Sequence, residues 1–223
     1  MLSPCKKTCL LEEKLCVSCG RTVSEIVQWR HIEEGEKQRL MSDVFPLRLK
    51  LKAIHLKDRN LEGFRLSQKD QDLILEHFLN LDPKDRRSRF GYAMKEESLK
   101  KWIENLDWGK FLVWAIPSQT QESHTGEGML LDAVGMLSPD GHTSPIPIPI
   151  LWEVGLSVLS HARQRGLGHK LLRAALEVAK GITPSSKMML YTQNDCIPIF
   201  KLVRAHGGKI QTKAGETIGL FSW

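Results

Sequence analysis

Strict alternation of apolar and polar residues marks a few segments of this chain, and the clearest is residues 151–158. There Trp152, Val154, Leu156 and Val158 interleave with Glu153, Gly155 and Ser157. That is the period-two signature of a strand with one apolar face. Directly beyond it, Leu167, Leu171, Leu172, Ala175, Leu176 and Ala179 recur at the spacing of an amphipathic helix. Between the two patterns lies Arg163-Gln164-Arg165-Gly166-Leu167-Gly168. The chain therefore reads strand, glycine turn, helix.

The remaining periodicity supplies further elements. Thr22-Val23-Ser24-Glu25 is a capping box that starts a helix with Ile26 and Trp29 inward, and residues 33–41 read as a second, polar helix. Residues 42–46 read as a linker. Leu47, Leu49, Leu51 and Ala53 then alternate with Arg48, Lys50 and Lys52, which predicts an edge strand with its lysines outward. Phe64-Arg65-Leu66 is a short strand. Ser67 caps a helix carrying Ile74, Leu75, Phe78, Leu79 and Leu81, which Asp82-Pro83 ends. Residues 85–91, DRRSRFG, read as a solvated basic turn whose arginines make structural salt bridges or, as the alternative, meet an acidic substrate or a cofactor phosphate. A helix over 97–106 and strands over 110–116 and 129–137 follow, the strands joined by a polar loop, SQTQESHTGEG. Residues 138–149 are a turn and a proline-alternating extended segment. The tail gives a strand over 187–192, a helix over 198–205 ended by Gly207-Gly208, and a hairpin of 209–212 with 217–221.

A strand that feeds a helix through glycines makes an anion site. The first-turn N–H groups lack intrahelical partners, the helix dipole is positive there, and glycine lets a phosphate approach the backbone. Arg163, Arg165, His169 and Lys170 surround the turn with donors. The third glycine of a dinucleotide fingerprint is replaced by Leu171, which disfavours that cofactor class. The same strand carries a carboxylate, Glu153, on the face of Gly155 and Ser157, whose small side chains leave room for a ligand. A carboxylate so placed can take a proton from an amine, and it can equally pair with a nearby arginine.

At 223 residues with 41% hydrophobic content, the chain has enough apolar material for one domain and a small appendage. No apolar run approaches a membrane span, and the start, MLSPCKKTC, has no signal-peptide core, so a cytoplasmic location is the expectation. The net charge of +6 is spread along the chain and fits a phosphate-bearing cofactor as well as nucleic acid; sparse aromatic residues and the acidic 33–36 stretch disfavour the latter. A homodimer is left open. Four of the five cysteines, Cys5, Cys9, Cys16 and Cys19, are spaced C-x3-C-x6-C-x2-C within the first 43 residues. In a reducing compartment such a cluster reads as metal ligands, for zinc or an iron–sulfur cluster, and a unit this short needs a staple. His161, His169 and His206 lack partners at nucleophile or metal spacing and read as surface or loop residues.

Two resemblances follow from these residues. The segment S-P-C-x3-C-x6-C-x2-C-x-R-T-x-x-E-I-x-x-W resembles a small bacterial family of cysteine-rich domains without an assigned function, often labelled iron–sulfur proteins. The stretch E-x-G-L-S-V-L-x-x-A-R-x-R-G-L-G-x-x-L-L-x-x-A resembles the acetyl-CoA motif of the GNAT N-acyltransferases, and the D-R-R-x-R-F-G of residues 85–91 is similar to one bacterial subgroup of them. The second resemblance implies an α/β fold, a mixed central sheet flanked by helices, over residues 47–223, behind a metal-binding module of residues 1–43. It implies a pyrophosphate loop of Arg163, Gln164, Arg165, Gly166, Leu167, Gly168, His169 and Lys170, with backbone groups of Val158 and Leu159 offered to the pantetheine arm. Glu153 matches the glutamate that many GNAT enzymes carry on this strand. The asparagine at the start of the following helix is replaced by Cys196, with Asn194 two residues earlier as the CoA contact, and the usual acid tyrosine position holds Val203. The expected activity is transfer of an acetyl group from acetyl-CoA to an amine of a small molecule or protein. The alternative is a catalytically weak CoA-binding regulator whose metal module senses redox state or a partner.

Overall fold

The computed structural model describes residues 3–54, 61–92, 94–122, 129–139, 151–213 and 216–223. The cysteine-rich segment holds a two-stranded ribbon, β1 (Leu11–Glu12) and β2 (Leu15–Cys16), and the helices α1 (Val23–Gln28) and α2 (Glu34–Arg39). Thr22 and Glu25 close the expected capping box. A π-helical turn, Leu40–Val44, runs straight into α3 (Phe45–Lys52). Then come β3 (Phe64–Leu66), α4 (Gln71–Leu79), α5 (Pro83–Phe90), α6 (Glu96–Glu104), β4 (Leu112–Glu122) and β5 (Met129–Ser138). The chain ends in β6 (Leu151–Val158), α7 (Leu167–Ile182), β7 (Lys187–Thr192), α8 (Ile197–Ala205), β8 (Lys209–Lys213) and β9 (Glu216–Ser222).

Seven strands form one sheet in the order β3-β4-β5-β6-β7-β9-β8, antiparallel except for the β6–β7 pair. One layer of helices, α3, α7 and α8, packs on the face bearing Trp114, Trp152, Val154 and Met188. The other layer, α4 and α6, packs on the face bearing Val113, Ala115, Val134 and Met136. The mixed, helix-flanked sheet expected from the sequence is present.

Two local expectations are corrected. The segment expected to be a linker and an edge strand, residues 42–53, is helical through Lys52. Leu47 and Leu51 lie one helical turn apart, and Val44, Leu47, Arg48 and Leu51 are all buried, which is helical and not strand spacing. The alternation misled because Arg48 points inward: its Nη1 meets Glu25 Oε2 at 2.7 Å and the Gly20 carbonyl at 3.4 Å. This helix ties the segments together, since Phe45 joins Trp29 in the small N-terminal core while Leu47 and Leu51 join the main core. The basic segment expected as a turn is α5, capped by Asp82, with Gly91 at φ +81° ending it. The polar loop expected after β4 is strand as far as Glu122, and residues 123–128, with residues 140–150 of the proline-rich segment, lie outside the described residues.

Candidate active site

Strand β6 is paired with β5 along its length, from Ser138↔Glu153 to Ala133↔Val158. Its pairing with β7 covers Leu151↔Lys187, Trp152↔Met188 and Glu153↔Met189 and stops there, while β7 continues to pair with β9. Two parallel neighbours therefore part in mid-sheet. The amide of Leu159 donates to the Asp132 carbonyl of β5 at 2.9 Å. In that peptide unit the Val158 carbonyl must face the opposite way, into the gap. The Leu159 carbonyl is occupied by the Ala162 amide at 3.0 Å. Of the two residues expected to serve a pantetheine arm, Val158 faces the gap and Leu159 spends both backbone groups within the chain.

The RxxGxG turn stands at the end of this strand. Gly166 is the N-cap of α7 at φ +76°, a left-handed conformation suited to glycine, and open space surrounds its Cα where a side chain would project. Gln164 is also left-handed, at φ +62°. No side chain caps α7, so nothing of that kind engages the first-turn amides of Leu167, Gly168 and His169. The charged side chains of the loop are taken by protein partners instead. Arg163 pairs with Asp85, Arg165 Nη1 with Asp132 Oδ2 at 3.2 Å, and Lys170 Nζ with Glu62 Oε2 at 2.6 Å, while His169 Nδ1 lies 3.1 Å from His206 Nε2. Asp132, buried and also joined to His161 Nε2 at 3.0 Å, braces the loop from β5.

On the opposite face of β6, Glu153, Gly155 and Ser157 look towards α4, α5 and α6. They line, with Arg89, Trp102, Phe111, Met136 and Ser138, a small cleft open to solvent. Arg89, from α5, lies directly over Gly155; a Cβ there would overlap its guanidinium carbon. Arg89 also stacks on Phe90 and Phe78, at 5.1 and 5.9 Å to the ring centroids. Burial pushes its guanidinium down to about 10, against the attraction of the Glu153 charge. At neutral pH the cleft thus holds a cation near Glu153. Ser157 reaches His77 Nε2 at 2.8 Å, and His77 Nδ1 lies 2.7 Å from the Leu131 carbonyl. That carbonyl can only accept, so Nδ1 carries the proton and Nε2 accepts from Ser157. Burial, helped by the Arg89 charge, pushes His77 down to about 4 despite the Leu131 bond.

Asn194 stands between β7 and α8 with its Oδ1 accepting from Thr217 Oγ1 at 2.6 Å. Cys196 is half-buried at the N-cap of α8. Val203 is buried and close to Gly219, packed under the terminal hairpin. The usual acid position therefore faces the core. Tyr191, two residues beyond Met189 on β7, shares the sheet face of Glu153 and is 37% exposed. His77 is the site residue that sequence reasoning missed; Arg89 was legible only as one of the arginines of residues 85–91 that could meet an acidic substrate. The only signal for Arg89 was the basic D-R-R-x-R-F-G stretch, and a helix had to form before one arginine could be singled out.

In the N-terminal segment, Cys9 Sγ and Cys16 Sγ lie 3.8 Å apart. Cys19 Sγ accepts from Arg21 Nε at 3.5 Å and Cys5 Sγ from the Lys7 amide at 3.4 Å. Among the described residues, no three His, Cys, Asp or Glu side chains converge as a metal site. Two thiols on one tetrahedral zinc, with bonds of about 2.3 Å, would be about 3.8 Å apart. One edge of such a site is present, and the Cys16 thiol is also hydrogen-bonded by Cys19.

Residues 3–46 match a family model described as "Protein of unknown function (DUF1289)". No curated protein matches the chain. Among solved structures, the GNAT domain of S. lividans PAT is similar with a TM-score of 0.54 at 13% identity, covering 72% of this chain and 89% of that one. A putative acetyltransferase, yncA from Salmonella typhimurium, with its cofactor acetyl-CoA, gives 0.51 at 14%, covering 73% and 94%. The ribosomal-protein-alanine N-acetyltransferase of Brucella melitensis gives 0.51 at 16%, covering 73% and 100%. At these identities the likeness is one of fold, and that fold is the GNAT fold. Among the described residues no helix is long and apolar enough to cross a membrane.

Proposed function

We propose that this GNAT-fold chain is an acetyl-CoA-dependent N-acyltransferase acting on an amine. The observation that carries the reading is the gap between β6 and β7 in line with the helix start at Gly166, which no side chain caps. A CoA pyrophosphate suits the amides from Gly166 to His169, because backbone N–H groups and the helix dipole favour an anion there. The pantetheine arm suits the gap beside Val158 and extends towards Glu153. Asn194 is the remaining candidate contact, near the start of α8.

Acetyl-CoA supplies an acyl group already activated as a thioester. The protein's task is to orient the amine and to remove its proton, since a lysine-type amine with pKa about 10.4 is mostly protonated at neutral pH. Glu153, at the cleft end of the gap, is the residue we assign to that proton. Thiol release from acetyl-CoA across a panel of amines tests the reading. Amine-dependent release, lost on heat denaturation, is expected. CoA binding without turnover of any amine would favour the regulator alternative, which the core-facing Val203 also suits.

A metal centre at Cys5, Cys9, Cys16 and Cys19, zinc or iron–sulfur, is a separate proposal supported by the Cys9–Cys16 separation. It requires the four thiols to converge on one ion. Metal analysis of anaerobically purified protein should give one centre per chain, lost in Cys16→Ser; metal-free protein with every thiol titratable would refute it.

A further inference from the structure

The cleft holds one charge that acyl transfer from CoA does not use. Arg89 offers a planar fork of five donors. Among the described residues its one hydrogen-bond acceptor is the Met136 thioether, at 3.2 Å from Nη2, and a thioether accepts weakly. Around it lie the Phe78 and Phe90 rings and the bare backbone of Gly155, with Glu153 close enough to attract it. A desolvated guanidinium ordinarily has a carboxylate or phosphate in its fork. Here the fork opens on a cleft, and Gly155 leaves it room to do so.

The neighbouring position on the same strand face is Glu153, about 7 Å along the backbone. The guanidinium and the Glu153 carboxyl group thus share one wall of the cleft, as suits a small ligand bearing both a carboxylate and an amine. Trp102, Phe111 and Met136 supply apolar wall around them. A peptide N-terminus would bring an amide where the carboxylate belongs and would leave the guanidinium unpaired.

We propose that the acceptor is a free amino acid with an apolar side chain, its carboxylate held by Arg89 and its amine presented to Glu153. This rests on the acyltransferase reading. In the reaction the amine nitrogen bonds to the acetyl carbonyl carbon and the carbon–sulfur bond breaks, its electron pair leaving with sulfur. The ammonium sheds two protons, the first by way of Glu153; one ends on the CoA thiol and one in solvent.

The test compares phenylalanine, leucine and methionine with their carboxamides and with phenethylamine, in wild type, Arg89→Gln and Arg89→Lys. The amino acids should show KM values about 10- to 100-fold below their uncharged counterparts, a gap that Arg89→Gln erases and Arg89→Lys partly restores. The wild-type comparison stands even where a variant fails to fold. Equal turnover of amino acids and amides would overturn the inference and leave the acyltransferase reading intact. If no amine is acetylated, titration calorimetry of phenylalanine and its amide into CoA-loaded protein decides. Selective binding of the carboxylate keeps the Arg89 site while the acyltransferase reading fails, and no selectivity overturns the site as well.

Discussion

The two ends of β6 handle charge in opposite ways. At the glycine turn, Arg163, Arg165 and Lys170 are each engaged by a carboxylate of the protein, and what remains for a ligand is backbone. In the cleft, Arg89 and Glu153 bring their charges to the cavity wall itself. On the proposed function, the difference follows from what each end would recognise. A pyrophosphate is common to every acyl-CoA, and a row of oriented N–H groups holds it without side-chain rotamers to order. An acceptor must be told from other amines, and side chains are what can vary to do so.

The largest effect that separates the two ends should come from Glu153→Gln. It keeps size and hydrogen bonding and removes basicity, so turnover should fall by about 100- to 10,000-fold. CoA affinity should stay level, and the deficit should shrink as pH rises and more acceptor becomes neutral unaided. Wild-type turnover at every pH would remove Glu153 from the mechanism.

Next in size is the floor of the cleft. His77 titrates near 4 in the folded protein against 6.5 in the unfolded chain. The unfolded state therefore binds a proton first as pH falls, and stability drops between pH about 6.5 and about 4. Over that window the loss from this one group approaches about 3 kcal/mol. Urea melts through the window should show the slope for wild type and a shallower one for His77→Gln; equal slopes would show that His77 is not the buried neutral group described.

The smallest effect is expected at the loop's own charges. Because Asp85 already holds the partly exposed Arg163, Arg163→Gln should weaken CoA binding by about fivefold at most. A drop of a hundredfold would mean that Arg163 leaves Asp85 for the phosphate and that the contrast between the two ends is false.

This contrast also explains what was legible in the sequence. The loop is a local device: strand alternation, two glycines and a helical stripe are contiguous, so its position could be read directly. That its basic side chains are spoken for could not, since Asp85, Asp132 and Glu62 come from elsewhere in the chain. The cleft is a tertiary product. Glu153 and its small neighbours were visible on one strand face, but Arg89 reaches Gly155 only once α5 forms, and His77 reaches Ser157 only across the layers. The error at residues 47–53 has the same root. Leu47 and Leu51 satisfy both periods, and a buried arginine, which breaks the tie, is explained only by its distant partner Glu25.

The central claim is that CoA is held by the open backbone at the start of α7, and titration calorimetry of CoA into wild type and Gly166→Asp tests it most directly. Aspartate tolerates the left-handed backbone better than most residues and can itself cap a helix, so the variant should fold. Its carboxylate would then occupy the amides that the phosphate needs and repel it. The expected result is saturable binding to wild type and none detectable to the folded variant at the same concentrations; unchanged affinity in Gly166→Asp would contradict the account.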